Sequence, residues 1–498
     1  MCHPGPGESF PGPQVALKVG NGVEVDRRLC PWSAGTQHAV RSVFTGVSVL
    51  RIVVTVLGLA SASDGLPSKK PAAVGMSATR LESVERIVTR GIDAGGYPGA
   101  AVVVGRKGAV VFQRGFGRLS WSPESNSVSP DTSIYDVASL TKVVGTTAAI
   151  MALYDDGKIK LDAPVTRYLP QFTGGLNDMV TVGDLLTHRS GLPAARDLWR
   201  GASTPDEARA MVLSTRVRDI PGRKYLYSDL GADLLGFIAE AVSQQPLDVF
   251  LHNRIYGPLR MHNTFFRPAD SLRYRVAPTE LNAPRGYPVH GEVHDENAYA
   301  LGGVAGHAGL FSTASDLAVF AQMMLDGGTY AGVRIFADST VSLFTRRTAG
   351  HRALGWDTAD GDYGSGRYLT PRAYGHTGFT GTSMWIDPDR EMFVILLTNR
   401  VHAAKARYPG RVISDVRADL SDAAVLAVMD GPRGPMRMPT AFRADRRDGW
   451  NGDTRRIRAA KAAAARRRAA ARRARTRAAA AKKRAPASST RAKRSAGE

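Results

Sequence analysis

The chain has 498 residues, 43% of them hydrophobic and 22% charged. These proportions exclude a collagenous or wholly disordered protein and leave room for one large two-lobed enzyme or three average domains. The net charge of +21 suggests nucleic-acid binding until it is located: 17 of the 66 Lys and Arg residues, and one of the 45 acids, lie in 454–498, which leaves 49 bases against 44 acids elsewhere. The body is only mildly basic. The two cysteines, Cys2 and Cys30, exclude a disulfide scaffold and a four-cysteine zinc site, and argue against a cysteine nucleophile in the body.

Residues 1–40 are rich in Gly and Pro and show no period. Arg41 and Arg51 then precede the apolar run 52–59 and the step Ala60-Ser61-Ala62, the layout of a secretory signal. The run is too short to span a bilayer unless the weaker stretch from Val43 is added. A leader over 1–62 is therefore predicted, with residues 1–40 lying ahead of the signal proper. The product is exported to the periplasm, cell envelope or exterior, and no cysteine follows the run to take a lipid anchor.

A globular pattern begins near Met76. The spacing of Leu81, Val84, Ile87 and Val88 predicts a helix over 77–94. Apolar runs at 99–105 and 109–113 flank Arg106-Lys107-Gly108 and predict a β-hairpin. A long helix follows over 139–156, stopped by Gly157, and then largely helical sequence over 180–259 with Pro and Gly breaks. Strands return at 382–386 and 392–398 around the turn Asp387-Pro388-Asp389, and a last helix covers 414–429. Strands at both ends with helices between predict an α/β (α+β) fold. Its antiparallel sheet, flanked by helices, is built from 76–160 and 300–430 and interrupted by an all-helical lobe over 161–299. Residues 431–498 read as a linker and an Ala/Arg/Lys-rich tail with no apolar face to bury, disordered or an isolated helix. Its charge suits a polyanion, either an envelope polymer or nucleic acid.

There is no G-x-S-x-G elbow, H-E-x-x-H or Walker loop. Ser139-Leu140-Thr141-Lys142 heads the long helix instead. Three residues along a helix return to nearly the same face, so the lysine amine reaches the serine hydroxyl, which is a poor nucleophile until a neighbour takes its proton. The free N–H groups of a helix start also favour an oxyanion. Alone, the motif is weak. Tyr227-Ser228-Asp229 follows after a helical interval, and His376-Thr377-Gly378 opens the strand-rich end.

These three motifs, in this order, resemble those of the penicillin-recognising serine hydrolases. The branch they are most similar to holds class C β-lactamases, DD-peptidases, D-aminopeptidases and family VIII-type carboxylesterases. LLTHRSGLP from Leu185, GGVAGHAGLFSTASDLAVF from Gly302 and HTGFTGTSMWIDP from His376 agree with it. The resemblance implies an acyl-enzyme on Ser139, with Lys142 and Tyr227 sharing the proton work and Tyr227 handling the deacylating water. It also implies an oxyanion hole from the backbone N–H groups of Ser139 and Phe379. No E-x-x-x-N segment lies between Lys142 and Tyr227, in keeping with the tyrosine-using branch. No cofactor or metal is implied.

Two departures bear on substrate binding by Asp229, His376, Thr377 and Gly378. His376 stands where β-lactamases and DD-peptidases usually carry Lys, and an imidazole that charges near pH 6.5 is no permanent partner for a carboxylate. Asp229 stands where Asn is common and should hold Lys142 protonated. Both point away from a dedicated β-lactamase and toward an esterase, or an amidase or peptidase acting on D-amino-acid or peptidoglycan-type substrates. β-Lactamase or DD-carboxypeptidase proper, or a non-catalytic penicillin-fold sensor, are the alternatives. His290, His294, Asp295, Glu296 and His307 cluster around a Gly-rich loop, but without regular ligand spacing they read as cleft lining or structural hydrogen-bonding groups rather than a zinc site. His188 reads as structural.

Overall fold

The computed structural model describes residues 65–361, 364–431, 434–446, 450, 462–463 and 465–472. All belong to the unit Ser61–Glu498. The expected leader over 1–62 falls outside them. So does most of the basic tail, of which 465–472 are helical and exposed.

Helix α1 spans Ala78–Asp93, with Ser77 as its cap, and buries Leu81, Val84, Ile87 and Val88. The hairpin follows as β1 (Gly99–Arg106) and β2 (Ala109–Gly117). Its two turn residues, Lys107 and Gly108, both have positive φ (49° and 74°), the backbone twist that a two-residue hairpin loop needs. Strand β2 runs four residues beyond the apolar stretch that marked it, because its outer end is half exposed and carries no run to read.

After β3 (Tyr135–Asp136) comes the segment expected to be one regular helix. It is helical but changes gauge: a 3-10 turn over Ala138–Leu140, a π-helix over Thr141–Thr147, then α2 (Ala148–Asp155). The widened part is tied sideways to the 306–310 loop. Thr146 Oγ1 donates to the Gly306 carbonyl (2.6 Å), and Thr141 Oγ1 accepts from Leu310 N (3.1 Å). Such bonds compete with a regular ladder, and π-geometry concentrates at functional positions.

The middle of the chain holds short helices over Val182–Leu186, Leu198–Gly201, Pro205–Leu213 and Leu247–Leu251. The longer α3 (Asp229–Ser243) lies among them, followed by β4 (Phe265–Phe266) and α4 (Glu296–Ala300). Strand β5 (Leu310–Ser312) joins β3 and β4 in a small sheet of order β3-β5-β4. Strands of two or three residues are too short to show a period. Then come α5 (Ala314–Leu325), β6 (Asp357–Thr358), β7 (Tyr374–Thr377), β8 (Ser383–Asp387), β9 (Met392–Thr398) and α6 (Pro409–Leu426). Helix α6 begins five residues before its predicted start, with Pro409 at N1, where a missing N–H costs nothing.

The main sheet has the order β2-β1-β9-β8-β7-β6 and is antiparallel throughout. Strand β1 pairs with β9 from Ala100↔Thr398 to Arg106↔Met392, so the two ends of the globular region are zipped together at the centre of the sheet. Both faces are covered. Ala101 and Val103 enter the core that holds α2 and α5, while Ala100, Val102 and Val104 pack with α1 and α6. This is why β1 reads as a continuous apolar run rather than an alternating one.

One close approach brings the functional loop into place. A Cβ on Gly306 would lie 2.0 Å from the Ala232 carbonyl of α3, so only glycine lets the 302–310 loop lie flat on that helix. Among the described residues, no helix is long and apolar enough to cross a membrane.

Candidate active site

The site begins with a strained turn. Ala138 adopts φ 49°, a left-handed conformation that costs a residue with a Cβ about 1 kcal/mol or more and persists only where neighbours impose it. Buried Asp136 does so: its Oδ1 accepts from Ala138 N (2.8 Å) and its Oδ2 from His294 N (2.7 Å). Burial raises the Asp136 pKa, against the lowering effect of these bonds and of His294. The next residue is Ser139, partly open to solvent at the head of the helical segment.

Lys142 lies on the following turn, almost fully buried. Its Nζ is 3.1 Å from Ser139 Oγ, 3.0 Å from the His307 carbonyl and 2.8 Å from Asp229 Oδ1. It also sits 5.0 Å from the centre of the Tyr227 ring, within cation–π range. Burial works to lower the lysine pKa, but the Asp229 carboxylate and the Tyr227 phenol outweigh it and hold the ammonium above its ordinary value. Asp229 is reciprocally held below the usual carboxylate range: burial opposes its charge, and Lys142 and His307 favour it.

Tyr227 immediately precedes Ser228, the cap of α3, whose Oγ accepts from Gly231 N (3.2 Å). Two imidazoles flank the phenol, with ring centres 4.5 Å (His188) and 6.0 Å (His376) from its own. His188 Nδ1 accepts from Ser228 N (3.1 Å), fixing the tautomer with hydrogen on Nε2. Burial, with help from Arg352 and Lys142, drives the His188 pKa well down. Its structural role is thus to carry Tyr227.

The third motif arrives on β7. Gly378 is where this strand's end meets the Ser139 turn: a Cβ there would lie 2.4 Å from the Val137 carbonyl and 2.1 Å from Thr382 Oγ1. Thr380 and Thr382 clamp the contact by donating to the Asp136 and Val137 carbonyls (2.8 and 2.9 Å). Phe379 follows, its backbone N–H making no hydrogen bond among the described residues and its side chain 62% exposed. Its ring rests 5.7 Å from that of His294 and under the Arg400 guanidinium.

His376 is not a cleft-facing cation. Only 3% exposed, it bonds through Nδ1 to the Thr377 carbonyl (2.8 Å), and its Nε2 lies 3.7 Å from Asp357. Burial pulls its pKa down to about 4, with Asp357 opposing and Arg352 and Lys142 assisting. The expectation that it charges near pH 6.5 is therefore corrected: a buried ring cannot be hydrated when protonated, and two cations stand nearby. Arg352 and Asp357 were missed in the sequence. Arg352 is 2% exposed, pairs with Asp357 and donates to the Gly355 carbonyl (3.0 Å). Neither residue belongs to a motif, and only their five-residue separation hinted at a pair.

The fold keeps only Asp295 and His307 of the histidine-rich segment together, His307 Nε2 lying 2.9 Å from Asp295 Oδ1. His290 Nε2 reaches the Val276 carbonyl, His294 Nε2 reaches Glu280, and Asp295 caps α4 through Asn297 N and Ala298 N. His307 alone reaches the lysine. Among the described residues no group of three or more His, Cys, Asp or Glu is arranged to hold a metal ion.

The family model described as Beta-lactamase matches residues 84–418. A protein named "Putative D-alanyl-D-alanine carboxypeptidase" from Escherichia coli O157:H7 is 34% identical over 380 residues, covering 68% of this chain and 87% of its own. Among solved structures, a penicillin-binding protein homologue from Caulobacter crescentus has a TM-score of 0.56 at 21% identity, covering 70% of this chain and 99% of its own. EstCE1, "a hydrolase with promiscuous acyltransferase activity", has a TM-score of 0.57 at 22% identity with the same coverage.

The His376 assignment has a measurable consequence. Between pH 6.5 and about 4 the unfolded chain binds a proton at this position that the folded one refuses, so stability falls as pH falls through that window, by at most about 3 kcal/mol from this group. The imidazole resonances of His376, assigned by their loss in His376→Asn, should titrate near pH 4. A midpoint between 6 and 7 would contradict this burial argument.

Proposed function

Because the chain belongs to the beta-lactamase family and is a serine hydrolase of that fold, we propose that it cleaves an ester or amide through an acyl-enzyme on Ser139. Its substrate is a peptidoglycan-type peptide, a D-amino-acid amide or a carboxylester. The observation that carries this reading is the 3.1 Å contact between Lys142 Nζ and Ser139 Oγ, made by an ammonium already anchored on Asp229.

The chemistry follows from the charges. Lys142 is held protonated, so the proton acceptor is the phenolate form of Tyr227, favoured by the ammonium beside it: its oxygen takes the Ser139 hydroxyl proton as Oγ bonds to the substrate carbonyl carbon. The carbonyl oxygen becomes an oxyanion before the backbone N–H groups of Ser139 and Phe379. As the carbon–leaving group bond breaks, Tyr227 returns the proton to the leaving group. Water then attacks the acyl carbonyl, giving its proton to Tyr227, and Ser139 leaves with that proton restored.

The neutral His376 supports substrates without a carboxylate beside the reacting bond over penicillins. A second reading, a D-alanyl-D-alanine carboxypeptidase, is favoured by the name of the 34% identical relative. Parallel assays on a neutral ester, a D-aminoacyl amide, a muropeptide and a chromogenic cephalosporin separate these.

Ser139→Ala should lose turnover and fluorophosphonate labelling while keeping its fold, and a fully labelled mutant would remove Ser139 as nucleophile. Tyr227→Phe should lose at least ~10²-fold in rate, the usual scale of general acid–base help. Activity within a factor of two of the parent would leave the proton work to Lys142 or water.

Export and polyanion binding complete the proposal, supported by the basic–apolar–A-x-A layout before residue 63 and by the charge of 454–498. Secreted protein should begin at about Ser63 on N-terminal sequencing, whereas a dominant cytosolic species retaining Met1 would refute export. Deleting 454–498 should leave ester kinetics unchanged and abolish salt-sensitive retention on an anionic matrix. Equal retention of both forms at low salt would dismiss the tail as a binding element.

A further inference from the structure

One buried charged group next to the site has no part in the chemistry above. His307 is 2% exposed, and both ring nitrogens face carboxylates: Nδ1 lies 2.7 Å from Asp233 Oδ1 and Nε2 2.9 Å from Asp295 Oδ1. An ionised carboxylate only accepts hydrogen bonds, so both nitrogens carry hydrogen and the ring is an imidazolium. The need for it is visible on the Asp233 side. That residue is 1% exposed, and its Oδ2 has no hydrogen-bond partner among the described residues, so its buried carboxyl group relies on His307 for a polar partner.

The same residue is welded to the catalytic lysine. Its backbone carbonyl accepts from Lys142 Nζ at 3.0 Å, and the loop carrying it can touch α3 only because residue 306 is glycine. Asp233 stands one helical turn after Asp229 on α3, so one helix face presents a carboxylate to Lys142 and another to His307. Asp295 is the cap of α4, in the loop that also bonds Asp136 under the Ser139 turn. The charged and titratable groups around His307 are thus Lys142 from the nucleophile segment, Asp229 and Asp233 from α3, Asp295 from the α4 loop, and Tyr227 and Asp136 beyond them.

We propose that His307 is a positioning residue for the catalytic pair: a buried cation, clamped between Asp233 and Asp295, that locates Lys142 through its own carbonyl and sets the charge balance in which Lys142 and Tyr227 hold their protons. With it, two cations face three aspartates. Without it, Lys142 alone faces all three, and every group that must lose a proton to start the reaction holds that proton more tightly. The direction does not depend on whether Lys142 or Tyr227 is the proton acceptor, because the lost positive charge acts on both with the same sign. The raised pKa of His307, where burial is outweighed by Asp233 and Asp295, agrees with the geometry. This inference rests on the acyl-enzyme reading for its kinetic arm but not for its spectroscopic one.

The test uses the full chain. In His307→Gln the acid limb of the kcat/KM profile for a neutral ester should move up by about two to three pH units, the order expected for a unit charge lost a few ångströms away at an effective dielectric of ~20. In Asp295→Asn, where Asn still caps α4, one negative charge is removed and the limb should move down. A merely structural role would lower rates at every pH and leave both limbs where they were, and coincident limbs in folded variants overturn the proposal. Should His307→Gln not fold, the Asp295→Asn limb decides alone. In the parent protein, ¹⁵N spectra at pH 8 should show one histidine with both ring nitrogens protonated, a signal absent in His307→Gln or, if that variant does not fold, identified by nuclear Overhauser contacts to Lys142. A single protonated nitrogen there overturns the proposal whatever the activity. If the parent neither hydrolyses esters nor labels at Ser139, while the doubly protonated histidine is present, the failure belongs to the acyl-enzyme reading and not to the imidazolium clamp.

Discussion

A buried ammonium has to be surrounded by acceptors, and much of this protein's middle is arranged to surround one. Removing the charge of Lys142 from water costs several kcal/mol unless it is paired and hydrogen-bonded. Three acceptors from three separate stretches meet it: Ser139 Oγ from its own turn, Asp229 from the start of α3 and the His307 carbonyl from the Gly-rich loop. Each acceptor has its own requirement. The Asp229 carboxylate needs α3 to begin where Ser228 caps it, and the His307 carbonyl needs Gly306 to let its loop lie on that helix. The gauge change between Thr141 and Thr147 belongs to the same arrangement, since its side chains are bonded to that loop.

The sheet contributes a second constraint from the opposite side. Strand β9 pairs with β1 and β8, and β8 pairs with β7, so the end of β7 is delivered onto the turn that carries Ser139. The contact is made at backbone distance, which Gly378 permits and Thr380 and Thr382 fasten. The strained Ala138 survives because Asp136 and these threonines hold the turn from both sides. Helical and sheet elements thus converge on one serine without sharing a segment of chain.

Charge in the site is balanced in layers. Lys142 and Asp229 form the layer that touches Ser139, His307 with Asp233 and Asp295 the layer behind it, and Arg352 with Asp357 a third beside His376. In each, a buried cation is paired with at least one aspartate, the condition on which low-dielectric burial is tolerable. His376 and His188 are the exceptions. They are kept neutral by burial and by the cations around them, and they serve as apolar-faced supports for Tyr227.

How much of this was legible before folding depends on the range over which each signal acts. The amino-acid sequence by itself determined the elements with strong local patterns: α1 from its apolar spacing, the β1–β2 hairpin from its turn, β8 and β9 from their apolar runs, and the origin of the sheet in both chain ends. It also carried the three motifs, because Ser139 and Lys142 are near neighbours along a helix and the others sit at recognisable positions. Strands β3 to β6 left no trace, being too short for a period, and the π-geometry after Ser139 had none because its cause is a loop far along the chain. Only the tertiary structure decided that His376 is buried and neutral, that Arg352 and Asp357 stand beside it, and that His307, one of five candidates in its stretch, alone reaches Lys142. Burial and ion pairing are set by which surfaces meet, and a residue's type and spacing carry no record of its partner 165 positions away.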